Sequence, residues 1–573
     1  MRYALPIIAL LLTGPLWNRL AAQDTTAAPT PPAQGPRCNG ETVSVVTVDR
    51  AEPVMVERSA GWARPILRFA LSGAPTRESA VAPFLLIEQG QACTEELLAE
   101  SERVLRQQPY LADARAAVVA DSGGTVQVHF STTDDIRPIL GLGVKDNKPT
   151  RFKIGSGNVA GYGMLASVQW QQGFAFRDGF GAKYTNYHTF GRPVLFDTQL
   201  ERSPLGEILS ASLSRPLYSQ LQNLAWSASV AHVSRYQRFV RGGDLDPISL
   251  DVDRRSWELN ALYRIGGGRN GVFAGAAISG DRIEPAESGV IITDTGYVDD
   301  PDQTLGPRYA NQTRSAVAAI LGARALRFFK AEGFDALEGA QDVGEGLQYG
   351  GIFGRGVGSS NKGWVGGSQF YAGVGNPRSF VGMQALFESG RVDGEWVDMI
   401  AEGRIAWYSR PSRRRTRIAS FEFSGAWNTT VPVQLRLGTD KVGLRGYDDS
   451  ETAGGRRAVG RLEERIVFPG IARYLGFGGA AFVDVGKMWA GDVPFGETVN
   501  PRVGAGLGLI FAVPRSSRQN LRLDVTTPLI SDDGSHWGVS LTITSGRPRF
   551  YRGASDLARA RSAAQTPIVF GWP

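Results

Sequence analysis

Residues 138–550 are written in short runs in which apolar and polar positions alternate, separated by glycine-rich or charged turns; 163–170, 207–213, 224–234, 256–263 and 272–278 are examples. Strand side chains point to opposite faces with period two, so each such run has one apolar and one polar face. With membrane strands of ~9–11 residues plus turns and longer outer loops, this length of chain predicts a barrel of about 14–18 strands, sixteen being the central value. Near the C-terminal end the alternation carries charge. Arg461, Glu463 and Arg465 share a face opposite Leu462, Ile466 and Phe468, and Phe482, Asp484 and Gly486 share a face opposite Ala481, Val483 and Val485. Parity therefore puts Glu463 and Asp484 on the polar, lumenal side and Glu464 on the other. Just before these strands lies Val442-Gly443-Leu444-Arg445-Gly446-Tyr447. An arginine entering a barrel lumen from such a loop needs a carboxylate partner.

Residues 38–137 are patterned differently. Residues 43–49 predict a strand, and 76–87 and 94–107 predict helices. The second helix starts at the N-cap residue Thr94 and sets Leu97, Leu98, Val104 and Leu105 on one broad face. Residues 114–120 and 126–130 predict a hairpin around Asp121-Ser122-Gly123-Gly124. The connection 51–75 contains an apolar piece, 62–71, with no assigned role. Residues 23–37 are rich in Thr, Ala and Pro and predict a flexible spacer. Residues 1–22 have Arg2, an apolar run broken by Pro6 and Pro15, and Ala21-Ala22, which predict a secretory signal peptide cleaved before Gln23. Residues 551–573 form a C-terminal tail.

No later stretch is apolar enough to cross a bilayer as a helix, yet the chain has 71 glycines, 10% aromatic and 21% charged residues. That balance, with many alternating runs, points to a transmembrane β-barrel. The two cysteines, Cys38 and Cys93, predict one disulfide in an exported chain. The net charge of +6 includes basic turns at 410–417 and 514–518. In an exported protein these read as turns facing anionic lipid headgroups, or nearly as well as plain solvated turns, and not as a nucleic-acid surface. His129, His188, His232 and His536 lack metal-ligand spacing, no nucleophile elbow occurs, and the glycines of 504–508 alternate with apolar residues as in a strand. Catalysis, a metal site and a cofactor are not expected.

The order strand, helix, helix, strand, strand in 38–137 resembles a POTRA domain, as do Thr76-Arg77-Glu78-Ser79, the segment 97–105 and Tyr110-Leu111-Ala112-Asp113-Ala114. Leu444-Arg445-Gly446-Tyr447 resembles the tip of the sixth extracellular loop in the POTRA-plus-barrel superfamily, which includes BamA, TamA and the two-partner-secretion transporters. Glu463-Glu464-Arg465 before Pro469, 482–486 before Trp489, and 521–525 before Pro528-Leu529 resemble that family's later strands, in the same order. The resemblance implies an N-terminal α+β POTRA-like domain in the periplasm, followed by an antiparallel barrel of 16 strands in the bacterial outer membrane. It implies that the loop folds into the lumen, where Arg445 pairs with Asp484 and Glu463.

The implied function is insertion of outer-membrane proteins or translocation of polypeptides, without cofactor or covalent chemistry. The implied partners are unfolded outer-membrane or secreted polypeptides, outer-membrane lipid and periplasmic accessory proteins. In the resembled domain the second strand lies at a sheet edge; here its middle, Ala116-Ala117-Val118-Val119, is uncharged, and such an edge invites pairing with an extended client. Two features depart from the family: a single POTRA-like domain, and a tail after the last strand. A passive channel, or a lipid-handling barrel with a structural POTRA-like domain, is the alternative.

Overall fold

The computed structural model describes residues 38–51, 74–544, 554 and 556–558, less 146–147, 175–176, 243–244, 267–269, 294, 302, 359–362, 439–442, 448–451, 469–474 and 531–537. The expected signal peptide and spacer, residues 52–73 of the connection and most of the tail lie outside the described residues.

The N-terminal domain comprises β1 (Asn39–Ala51), α1 (Glu78–Val81), β2 (Ala92–Thr94), α2 (Glu95–Arg106), β3 (Leu111–Ala120) and β4 (Val126–Asp134). Its sheet order is β2-β1-β4-β3, with β1 parallel to β4 and β3 antiparallel to β4. The helix expected over 76–87 is shorter than that. Pro83 offers no N–H, and the chain tightens into a 3-10 turn, Ala82–Phe84, in which the Leu85 N–H donates to Ala82 O at 3.1 Å. α2 begins as its sequence dictates: Thr94 Oγ1 accepts the Leu97 N–H at 3.2 Å, with Glu95 and Glu96 in the first turn and Arg103 and Arg106 in the last. Val104 and Leu105 are fully buried against a core that includes Ile87, Val128 and Phe130. Cys38, at the start of β1, is bonded to Cys93 in β2, with Cα atoms 4.8 Å apart.

Beyond Arg137 the described strands close into one antiparallel barrel of twenty-two, the first, Pro138–Lys145, beside the last, Gly538–Thr544. Val290–Thr293 and Gly296–Asp299 form a hairpin beyond the wall, because the strands flanking them, Asn270–Pro285 and Gln312–Glu332, pair directly. The wall thus has twenty described strands, and the expectation of sixteen is corrected. The cause is turn length: Ser203 pairs with Gly206, Asn376 with Ser379 and Val392 with Glu395, so many hairpins close over two residues and the same chain length makes more strands.

Outward positions such as Leu142, Phe180, Leu200, Leu321, Phe353 and Leu507 are exposed, while Arg324, Glu388, Glu422 and Arg461 are buried inside. An apolar outside around a charged inside is the inverse of a water-soluble protein and is stable with hydrocarbon around it. No described helix is long and apolar enough to cross a membrane.

The domain sits across one end of the barrel. Arg106 donates through Nε and Nη2 to Asp342 at 2.9 and 2.6 Å. Glu100 Oε1 accepts from Ser219 Oγ (3.1 Å) and the Gln220 N–H (2.5 Å). Burial alone would push the Glu100 carboxyl up, but the Arg103 guanidinium and these donors hold it below the usual carboxylate range. The basic turns are also on this side, and several of their charges are paired within the protein. Arg415 and Arg417 pair with Glu464, Arg515 with Glu338, and Arg518 donates to the Gln108 and Leu111 carbonyls. Carboxylates and carbonyls of neighbouring elements take up these charges; Arg413 and Arg414 are exposed.

The Cys38–Cys93 bond closes a long loop in a small domain, so Cys93→Ser is expected to destabilise that domain by roughly 2–4 kcal/mol. Chemical denaturation followed by a domain-specific probe measures this. The native protein is expected to label with maleimide only after reduction.

Candidate functional site

The loop between the strands Arg415–Trp427 and Arg456–Val467 turns back into the barrel. At its base Leu435–Arg436 pairs with Ala453–Gly454. Leu435, Leu437 and Leu444 are fully buried with Val459 and Met488, so the loop carries its own apolar wedge into the lumen. The Leu444 N–H donates to Leu437 O at 2.6 Å.

Arg445, 5% exposed, is gripped on two sides. Its Nε and Nη2 donate to the two oxygens of Asp484 at 2.7 and 2.6 Å, and its Nη1 donates to Glu463 Oε2 at 3.0 Å. The guanidinium lies over the Phe482 ring, 3.5 Å from the centroid. A planar five-donor fork suits this two-carboxylate seat, which a point charge could not fill. Gly446 has φ +90°, a left-handed conformation that costs glycine little, and a Cβ at Gly504 would clash with the Arg445 carbonyl oxygen. The Tyr447 hydroxyl lies within hydrogen-bonding reach of the Val503 carbonyl (2.9 Å) and that of Ile530. Tip and wall are thus fitted at backbone, ring and charge. Glu464 is directed away from the lumen and held by Arg415.

Parity places Arg461 and Arg465 on the lumenal face, but the sequence did not assign them, or Arg522, to this seat. Glu463 also accepts from Arg465 Nε (2.5 Å) and Arg522 Nη1 (2.9 Å), while Arg522 Nε donates to Asp524 (2.7 Å). Arg461 donates to the Gly443 carbonyl (2.6 Å) and pairs with Glu422 (2.8 Å). Inward parity in Leu521-Arg522-Leu523-Asp524-Val525 was the available signal for Arg522 and Asp524. Two further elements gave no signal. The turn following Gln312–Glu332 enters the lumen from the domain side: Phe334 stacks on Tyr408 (centroids 4.9 Å), and Arg465 Nη1 donates to the Phe334 and Asp335 carbonyls at 3.0 Å. In the tail, Leu557 is fully buried within the loop's apolar cluster and Asp556 pairs with buried Arg457 at 2.7 Å.

The residues expected to bind clients lie in β3 of the N-terminal domain and take no part in this seat. β3 lies at the sheet edge, with Val119 48% exposed. Part of that edge is covered by α2: the Ala116 N–H donates to Glu102 Oε1 (2.6 Å), and Arg106 donates to the Ala114 carbonyl (3.0 Å). Alternation leaves Val118 and Ala120 as the open stretch. Among the described residues no group of His, Cys, Asp and Glu could hold a metal ion.

No family model and no curated relative matches the chain. Among solved structures it aligns with BamA from Haemophilus ducreyi lacking POTRA domains 1–3 (11% identity, TM-score 0.37, 88% of this chain and 85% of that one). It also aligns with CdiB from Acinetobacter baumannii (10%, TM-score 0.42, 88% and 74%) and CdiB from Escherichia coli (11%, TM-score 0.39, 91% and 92%). Likeness at this level bears no weight by itself.

Arg445→Ala takes the fork from Asp484, whose one remaining ion pair among the described residues is with Arg461 at 3.8 Å, while Glu463 retains Arg465 and Arg522; losing one partner of a buried pair costs roughly 3–5 kcal/mol. The expected outcome is a barrel that still assembles but melts lower and loses the loop to added protease; Arg445→Lys is expected to restore less than half of the lost stability. Thermal melts and limited proteolysis of the detergent-purified protein check both.

Proposed function

We propose that this chain belongs to the POTRA-plus-barrel superfamily and assists the insertion or translocation of other polypeptides at the bacterial outer membrane. In this reading the N-terminal domain is a POTRA-like module on the periplasmic side. The observation that carries the reading is the Arg445 fork onto Asp484 and Glu463. A buried, multiply paired cation on a loop tip fixes conformation at a desolvation cost, which a simple pore lining does not need. The four family-like motifs of the sequence meet around this one seat, which further supports it.

No covalent step is involved. The driving force is folding of the client: a strand whose backbone groups are paired is favoured over one left unsatisfied in hydrocarbon. The POTRA-like domain offers the open part of β3, around Val118, as a template for an extended segment. The clamped loop keeps the barrel in the conformation that accepts the client.

Depletion of the protein is expected to lower the levels of other outer-membrane barrels or of secreted proteins severalfold, measured by quantitative proteomics of both fractions. Unchanged proteomes together with steady, solute-selective conductance of the purified protein in planar bilayers would replace this reading with the channel. At the domain, Val118 packs partly against the core, and Val118→Pro removes an edge donor with limited damage to that core. Client crosslinking to the folded domain is expected to fall severalfold; unchanged crosslinking would move the docking site away from β3.

A further inference from the structure

The outer surface carries a row of side chains that the proposed function does not use. On four adjacent strands, Ala340–Gly356, Trp364–Asn376, Ser379–Val392 and Glu395–Ser412, the register aligns Arg355 with Trp364, Trp364 with Arg391, and Arg391 with Trp396. All four are exposed, the tryptophans by 42% and 55%. The Arg355 guanidinium lies 5.4 Å from the Trp364 ring and that of Arg391 5.6 Å from the Trp396 ring. Arg391 Nε also donates to the Gly394 carbonyl at 3.1 Å, which fixes its direction. The arginines are two strands apart, roughly 10 Å at the ordinary strand spacing.

The height of this row is set by the strand beneath it. On Ala340–Gly356 the outward face runs from Glu345 through Leu347, Tyr349 and Phe353 to Arg355. Ten residues at ~3.3 Å each, on a strand tilted ~40°, rise about 25 Å, the thickness of the apolar band of an outer-membrane barrel. Arg355 therefore sits at the boundary on the loop side and Glu345 at the boundary on the domain side. The two boundaries differ. On the domain side the charge is neutralised, Arg327 Nε donating to Glu345 at 2.6 Å. On the loop side, no ion pair among the described residues joins Arg355 or Arg391 to a carboxylate. Tryptophan alone at this height is ordinary interfacial anchoring; two cations held against it call for an anion.

We propose that Arg355, Trp364, Arg391 and Trp396 form a binding site for the phosphate-bearing headgroup of a membrane lipid in the leaflet on the loop side. The guanidiniums meet phosphate oxygens and the indoles lie against the upper acyl chains and glycerol or sugar backbone. Charge placement favours a lipid over free phosphate. Asp393 and Glu395 are exposed in the turn just beyond the row. An anion coming from water meets them first, whereas a lipid phosphate arrives in the plane of the bilayer. The proposal rests on the barrel spanning a membrane, but not on the polypeptide-handling role.

The test uses the full-length protein in neutral detergent, with melting followed as dioctanoyl phosphatidate, dioctanoylglycerol or inorganic phosphate is added. The wild type is expected to be stabilised by phosphatidate, and by neither diacylglycerol nor inorganic phosphate. Arg355→Gln with Arg391→Gln, both at exposed positions, is expected to melt normally without lipid and to need about tenfold more phosphatidate for the same shift. Equal phosphatidate response in the wild type and the double variant overturns the site, as does an equal response to inorganic phosphate. Reconstitution into bilayers separates the premise: a chain that does not insert fails as a membrane protein, whereas one that inserts with an unchanged phosphatidate response fails only here.

Discussion

A buried arginine must be neutralised where it lies, and in this protein that constraint organises the lumen. Arg445 brings a positive charge to a place 5% exposed, and Asp484 and Glu463 on neighbouring strands receive it. Desolvating three ionised groups costs several kcal/mol each, and the attraction recovers this only if every donor is placed well. The surrounding features serve that placement: Phe482 beneath the guanidinium, a glycine at 504 that admits the loop backbone, a left-handed glycine at 446, Arg465 on the far oxygen of Glu463 and Arg522 on both its oxygens. The result is specificity more than stability, since an apolar plug would fill the same space at lower cost.

The same seat links the two ends of the barrel. Glu463 touches the loop through Arg445 and, through Arg465, the carbonyls of the Phe334–Asp335 turn that enters from the domain side. A few residues on, Asp342 holds Arg106 of the N-terminal domain. The tail adds a third lumenal element, with Asp556 on Arg457 and Leu557 among the loop's apolar residues. A wide barrel would otherwise be an open hole; inward-folded segments and charged pairs fill it while the wall keeps an apolar exterior.

Much of this was legible in the sequence because period-two alternation is unambiguous once a barrel is assumed. The lumenal positions of Glu463 and Asp484 and the outward position of Glu464 follow from parity alone. Strand number was not legible from chain length, because hairpins such as Asn376–Ser379 close over two residues where longer connections are the usual allowance. Pro83, plain in the sequence, cuts short the helix expected over 76–87. The Phe334 turn and Asp556 were invisible for a different reason: their burial depends on which distant strand they meet, and Arg465 and Arg457 lie more than ninety residues away along the chain. The partial capping of β3 by Glu102 is of the same kind, a side-chain contact that periodicity does not report.

The central claim is that Arg445 and Asp484 stabilise the molecule as a pair and not as separate residues. A double-mutant cycle on Arg445→Ala and Asp484→Ala, read as unfolding free energy in detergent, tests it most directly. The account predicts that each single variant is strongly destabilised and that the double variant loses less than their sum, with coupling above about 1 kcal/mol. Additive losses would contradict it.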